Sequence, residues 1–390
     1  MCASLRGAAP EWPLLLVAAA DGPLAARAQA LGVAVALVPF PDAIARLGET
    51  GSADAGGPAR FAAQVGLAAG PIAGYAAALR QALARFAPDV VHTNGLKMHL
   101  FGAYATDAPL VWHIHDYVGR RRVSRSLLRW NVGRCAAVIA NSDSVAADAR
   151  RSLGGSVSVT RMYNAVDLSR FSPDGDTLDL DRLSGLPAAP ANTVRVGLLG
   201  TFARWKGHDT FLRAISELPA TMTLRAYVVG GPVYQTEGSQ YGVDELRAAA
   251  DRLRIADRVG FAGVVEQPER ALRALDIAVH ASTAPEPFGL VIAEAMACGR
   301  AIVVSRAGGA AELVAPGIDA LVHPPGDAAA LADAIRTLAA DSARRAALGA
   351  AARATAERRF DRARLATELM PIYAAAGGRL PVTAGPATTS

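Results

Sequence analysis

Residues 282–314 read STAPEPFGLVIAEAMACGRAIVVSRAGGAAELV. The stretch carries two glutamates eight positions apart, Glu286 and Glu294, and a glycine pair at Gly308 and Gly309. Pro285 and Pro287 keep Glu286 in a loop, because proline fixes φ and donates no backbone hydrogen bond. From Leu290 to Cys298 nearly every residue is small or apolar. Ala293, Ala295 and Ala297 suit a buried helix, which Gly299 ends. The amides of Phe288, Gly289 and Leu290 are then the unpaired donors of a helix N-terminus, where aligned peptide dipoles favour an anion. The stretch reads as a phosphate site with a carboxylate on either side. The alternative is an ordinary loop, helix and strand with solvated glutamates, and two glutamates alone do not separate the two.

Outward from this stretch, apolar β-type runs alternate with helical ones to both ends of the chain. That is the pattern of parallel sheets in two doubly wound, Rossmann-like α/β domains. Strands are expected at 14–18, 33–38, 90–92, 110–113, 137–140 and 157–162, and again at 194–199, 224–229, 259–261, 277–280, 301–304 and 320–322. Residues 171–192 concentrate Pro, Gly, Ser and Asp and break the periodicity. The expected division is an N-terminal domain at 1–175, a linker at 176–192, a C-terminal domain at 193–353, a helix at 354–376 crossing back to the first domain, and a disordered polar tail at 377–390.

Length and composition agree. A chain of 390 residues, 52% of them hydrophobic, has room for two domains with large buried sheets. Three cysteines, Cys2, Cys135 and Cys298, occur at no metal-like spacing, so neither a disulfide framework nor a zinc site is supported and a reducing cytoplasm fits. The apolar start is too short for a membrane span and runs straight into an amphipathic pattern, so a first core strand is expected there instead of a signal peptide. Residues 1–175 hold 17 Lys+Arg against 12 Asp+Glu and so carry the whole formal charge of +5. The densest cluster is Arg120, Arg121, Arg122, Arg125, Arg129 and Arg134. A solvated helix face is the plain reading; contact with anionic lipid, at the inner face of a membrane, or with an anionic acceptor is the alternative. Nucleic acid is disfavoured, because aromatics are sparse and not interleaved with the arginines.

The 282–314 run resembles the donor-site signature of family 4 glycosyltransferases, in which Glu-x7-Glu is followed by a small-residue helix, a strand and a Gly-Gly turn. The resemblance covers nearly the whole chain after residue 14. It implies the GT-B fold, two Rossmann-like domains facing a central cleft, and transfer of a hexosyl group from a nucleotide diphosphate-sugar to an acceptor hydroxyl with retention. It also implies that the leaving phosphate oxygen takes the acceptor proton, with no protein nucleophile and no metal or other cofactor. Glu294 would accept hydrogen bonds from the ribose hydroxyls, and Glu286 would contact the donor sugar.

Other segments fall into line with this resemblance. Residues 200–207, GTFARWKG, follow an expected strand and open a helix. Lys206 matches the family's diphosphate-gripping lysine, while the family's arginine position is Thr201 here and Arg204 is the nearest substitute. Both cations would neutralise charge on the departing diphosphate. Gly230 and Gly231 end the expected strand at 224–229, where a glycine pair lets the backbone approach a ligand closely and a nucleotide contact is expected, although any parallel strand can end in glycine before a turn. His115, in VWHIHDY, is the match for a histidine that contacts the transferring sugar. His113 shares its face by strand periodicity, but a third metal ligand is not evident. Asn94, Gly95 and Lys97, in HTNGLK, resemble the acceptor-facing loop, although Asn-Gly also suits a plain turn.

Several points stay open in the sequence. The family's opening βα unit has no evident counterpart, so either the start is misassigned or the first domain is truncated. Asp174 with Asp176, and Asp179 with Asp181, form Asp-x-Asp pairs inside the expected linker and read as solvated turns. A glycosidase pairing of Glu286 with Glu294 fits poorly with a buried alanine-rich helix between them. A GT-B nucleotide-sugar epimerase, or a non-catalytic sugar-nucleotide-binding subunit of a polysaccharide assembly complex, is the alternative to a transferase.

Overall fold

The computed structural model describes residues 1–42, 66–155, 157–233 and 238–377. The chain forms two compact units, one built from Met1–Tyr163 and Arg362–Ser390, the other from Asn164–Asp361. Apart from Gly377, the expected disordered tail lies outside the described residues.

The first unit opens with α1 (Cys2–Ala8), β1 (Leu15–Ala18), α2 (Pro23–Ala30) and β2 (Ala34–Leu37). It continues with α3 (Ala69–Phe86), β3 (Val91–Asn94), α4 (Leu96–Ala105), β4 (Leu110–Ile114), α5 (Arg122–Asn131), β5 (Ala137–Ala140), α6 (Asp143–Leu153) and β6 (Val159–Arg161). Its strands are parallel and lie in two sheets, β1-β2 and β3-β4-β5-β6. Every residue of β4 and β5 is buried. This is why β5 reads as an unbroken apolar run and β4 as one interrupted by His113 alone, as strands covered on both faces do. Ser142 caps α6, its hydroxyl accepting from the Val145 amide at 3.1 Å.

The second unit holds α7 (Leu180–Leu183), β7 (Val194–Leu199), α8 (His208–Ser216), β8 (Leu224–Val229), α9 (Val243–Arg252), β9 (Val259–Gly263), α10 (Pro268–Arg273) and β10 (Ile277–His280). After these come α11 (Leu290–Ala297), β11 (Ala301–Ser305), α12 (Ala310–Leu313), β12 (Leu321–His323), α13 (Ala328–Ala340) and α14 (Ser342–Phe360). Six parallel strands lie in the order β9-β8-β7-β10-β11-β12. The order reverses between β7 and β10, and open α/β sheets bind ligands outside the carboxyl ends of the strands at such a point.

Two expected boundaries move. Residues 176–192 are not a linker but part of the second unit, fastened to its sheet by Asp181. This aspartate is buried, not solvated. Its Oδ1 accepts from Arg225 and from the Tyr227 hydroxyl at 2.6 Å each, and its Oδ2 accepts from the Ala189 amide at 3.0 Å and Arg195 at 3.2 Å. Burial pushes the carboxyl up, but these four donors outweigh it and hold Asp181 well below the usual carboxylate range. The unit boundary falls instead between Tyr163 and Asn164.

The helix expected at 354–376 is likewise two elements. α14 ends at Phe360 in the second unit, and α15 (Arg364–Ala375) belongs to the first. Ser4 on α1 holds the start of α15, donating to the Ala363 carbonyl at 3.1 Å and accepting from the Ala366 amide at 2.8 Å. Among the described residues, no helix is long and apolar enough to cross a membrane.

Candidate active site

At the switch point of the second unit, the loop leaving β7 meets the loop leaving β10. The first runs through a short turn of 3₁₀-helix at Arg204–Lys206 into α8. Gly207 makes the meeting close: its φ is +79°, and a Cβ there would stand 1.9 Å from the Ala281 carbonyl oxygen. The second loop is pinned by backbone bonds, Thr283 to the Trp205 carbonyl at 2.8 Å and Gly309 to the Glu286 carbonyl at 2.7 Å. Glu286 and Gly308 also form a parallel bridge, so the glycine pair of the 282–314 run sets the position of its first glutamate.

Lys206 and Glu286 thereby come together. The Lys206 ammonium donates to both carboxylate oxygens of Glu286, at 3.0 and 2.8 Å. Glu286 is buried, and its Oε2 also accepts from the Ser282 hydroxyl at 2.9 Å and lies 3.2 Å from His280 Nε2. Burial would raise its pKa; the hydrogen bond to His280 and the Lys206 charge outweigh burial and lower it to about 2. The result is an ionised acid holding a cation in place at the carboxyl edge of the sheet.

Glu294 behaves in the opposite way. It is half-buried on α11, and no hydrogen bond to its carboxylate is present among the described residues. Burial lifts its pKa to about 7, with Arg170 pulling down and Glu269 adding to the rise. The same helix begins at Leu290, with Gly289 as its N-cap and no side-chain cap. Phe288 is buried beneath this start, and Leu290 is exposed. The first amides of α11 therefore keep the anion-favouring character expected of them.

The remaining residues of this unit divide. Arg204 turns away, forming an ion pair with Glu245 at 3.0 Å, donating to the Gly238 carbonyl at 3.0 Å and lying 4.4 Å from the Tyr241 ring centroid. The Thr201 hydroxyl is buried without a partner among the described residues. Gly230 has φ +140°, and a Cβ on it would stand 1.9 Å from the Gly200 carbonyl oxygen, so the chain's own packing already requires glycine there. The Gly231 carbonyl accepts from Phe202 at 3.0 Å, which ties the β8 end to the GTFARWKG loop.

In the first unit the ends of β3 and β4 carry a string of imidazoles. The Tyr373 hydroxyl lies 2.8 Å from His92 Nδ1, and His92 Nε2 lies 3.2 Å from His113 Nδ1. The His113 ring packs on that of His115 at 4.1 Å, and His115 Nε2 bonds Asn94 Oδ1 at 2.9 Å. Burial is the first cause lowering each histidine: His92 to about 3, His113 well below its usual value, and His115 downward although it keeps an exposed edge. All are neutral hydrogen-bonding groups at neutral pH. Among the described residues no group of three or more His, Cys, Asp or Glu could hold a metal ion. Gly95 and Lys97 line a cavity of about 510 Å³ in this unit with Val17, Phe40, Tyr75 and Met98.

Two residues beside Glu286 escape a reading of the sequence, His280 and Ser282. The first closes an apolar strand and the second opens the loop, and only the return of that loop brings both to the carboxylate.

Comparison with known proteins agrees with this geometry. Residues 193–341 match the family described as Glycosyl transferases group 1, and residues 24–170 match Glycosyltransferase Family 4. The D-inositol 3-phosphate glycosyltransferase of Xylanimonas cellulosilytica is 32% identical over 321 residues, which span 75% of this chain and 73% of that protein. The chain belongs to glycosyltransferase family 4. Another family relative, the lipopolysaccharide core biosynthesis mannosyltransferase LpcC of Rhizobium leguminosarum, is 34% identical over 64% of this chain and 67% of its own. Among solved structures, Anabaena HepE in complex with UDP-glucose superposes with a TM-score of 0.76 at 26% identity, covering 96% of this chain and 94% of that one. The two Rossmann-like units are those of a GT-B glycosyltransferase.

Proposed function

We propose that the chain transfers a sugar from a nucleotide diphosphate-sugar to an acceptor hydroxyl in glycan, glycolipid or polysaccharide synthesis, with retention and without a metal. The observation that carries this reading is the bidentate Lys206–Glu286 pair at the strand-order reversal of the second unit. A cation already in position can stabilise charge developing on a departing diphosphate without reorganising during reaction. The first amides of α11 add donors for the same anion. Glu294, whose carboxylate accepts no hydrogen bond among the described residues, is suited to accept from ribose hydroxyls, and Glu286 to meet the donor sugar. The match to HepE, crystallised with UDP-glucose, supports a uridine nucleotide as the first donor to test.

The decisive experiment offers purified protein a panel of UDP-, GDP- and ADP-sugars, measures thermal shifts, and follows product anomers by NMR. A stabilising donor transferred with its anomeric configuration kept supports the proposal, since a ligand that binds only the folded state raises its stability. Transfer with inversion, or no stabilisation by any donor, overturns it. Thr201 and the diversion of Arg204 to Glu245 favour a second reading, a subunit that binds sugar nucleotides without transferring them. Donor binding with neither hydrolysis nor transfer across an acceptor panel selects that reading.

A further inference from the structure

α5 presents a surface that donor chemistry does not use. Its exposed arc holds Arg122, Arg125 and Arg129, spaced so that a 3.6-residue period puts them on one side, while Leu128 and Asn131 are buried on the other. Trp130 stands beside the arginines with 84% of its surface exposed. A large aromatic left in water on a helix end is unusual in a unit whose Trp112 is wholly buried. Tyr104, 47% exposed, extends the patch: its hydroxyl donates to Asn131 at 2.6 Å, and the Arg134 guanidinium lies 4.5 Å from its ring centroid. From Tyr117 to Ser142 the chain contains no Asp or Glu. No ion pair of Arg122, Arg125 or Arg129 occurs among the described residues.

We propose that this face docks onto an anionic phospholipid bilayer, with the three arginines among the headgroups and Trp130 at the boundary with the acyl chains. Three unpaired cations on one side demand a dense, extended anion. An exposed tryptophan beside them favours one with an apolar layer under its charge, which a lipid surface has and a soluble polyanion lacks. The α5 face is thus a membrane-contact surface, independent of which sugar nucleotide the second unit takes.

The test is flotation of the full chain with phosphatidylcholine vesicles, with and without phosphatidylglycerol, together with tryptophan emission. The expected result is binding that needs phosphatidylglycerol, weakens with salt, and shifts emission to shorter wavelength. Replacing Arg122, Arg125 and Arg129 together by Gln should weaken partition about a hundredfold, and Trp130→Phe should remove the emission shift. All four positions are solvent-facing, and matching melting curves for variant and parent certify the fold. Absence of vesicle binding overturns the proposal. So does binding that survives the arginine substitutions, or retention on heparin or nucleic acid without retention on vesicles.

Discussion

The two units put polar groups at the same place, the carboxyl ends of parallel strands, and treat burial in opposite ways. In the second unit Glu286 stays ionised because Lys206, His280 and Ser282 surround it. In the first, His92 and His113 stay neutral because burial, and after it the neighbouring His115, disfavour a charge on them. A buried charge needs a countercharge and hydrogen bonds around it, whereas a buried imidazole needs only a hydrogen-bonding partner. In the proposed reaction the first arrangement would neutralise a diphosphate and the second would hydrogen bond a neutral sugar or acceptor.

The largest contrast should appear on acidification. His92, His99 and His113 have folded pKa values far below the ordinary 6.5, so between pH 6.5 and about 3 the unfolded chain binds protons that the folded one does not. Their burial therefore costs nothing above pH 6.5 and costs several kcal/mol in total as pH falls toward 4.5. Glu286, depressed to about 2, contributes stability that is intact above 4.5 and lost only as pH falls through its folded value. His208, lowered to about 4, and His323 give the second unit a smaller share of the same acid penalty. Hydrogen exchange at pH 5 should show β3, β4 and β5 opening before β7, β10 and β11; the reverse order would dissolve the contrast.

Removing one charge from the second arrangement comes next. Lys206→Ala is expected to lower turnover about 10²–10³-fold, the scale of one lost electrostatic donor in a transition state. His280→Ala should cost less, about tenfold, by loosening Glu286 while leaving the Lys206 pair, and the acid limb of the activity profile should move up in pH. An unchanged acid limb would mean that His280 does not tune Glu286.

How far the sequence discloses these sites follows from which forces act locally. The strand pattern, the buried alanine helix at Leu290–Ala297 and the Lys206 and Glu286 positions are legible because periodicity and turn chemistry are written over a few neighbouring residues. Asp181 is not: a Pro/Gly/Asp-rich stretch looks solvated until Arg225 and Tyr227, more than forty positions away, supply its hydrogen bonds. Arg204 fails for the same reason, since Glu245 on α9 competes for it. The end of the long C-terminal helix is hidden because helix-forming sequence continues past Asp361, whereas the Val166 amide, nearly two hundred positions earlier, donates to the Phe360 carbonyl at 2.7 Å and bridges Asp361.

The smallest effect concerns Glu294, which fits neither class, being an acid held near neutrality with no hydrogen-bond partner among the described residues. Its folded pKa of about 7 exceeds the ordinary 4.5, so the contribution of Glu294 to stability is most favourable below 4.5 and is lost as pH rises toward 7, over the range where the unfolded chain ionises first. A ligand whose hydroxyls donate to the carboxylate favours the ionised form. Nucleoside diphosphate affinity should therefore climb through pH 7 in the parent chain, by about tenfold, the size of one charge-assisted hydrogen bond. Glu294→Gln keeps the shape and one acceptor oxygen but has no proton to lose, so its affinity should stay level across the same range. Calorimetry at pH 6 and 8, in buffers of differing ionisation enthalpy, reads both affinity and proton release. A parent chain that releases no proton on binding would mean that Glu294 does not meet the nucleotide.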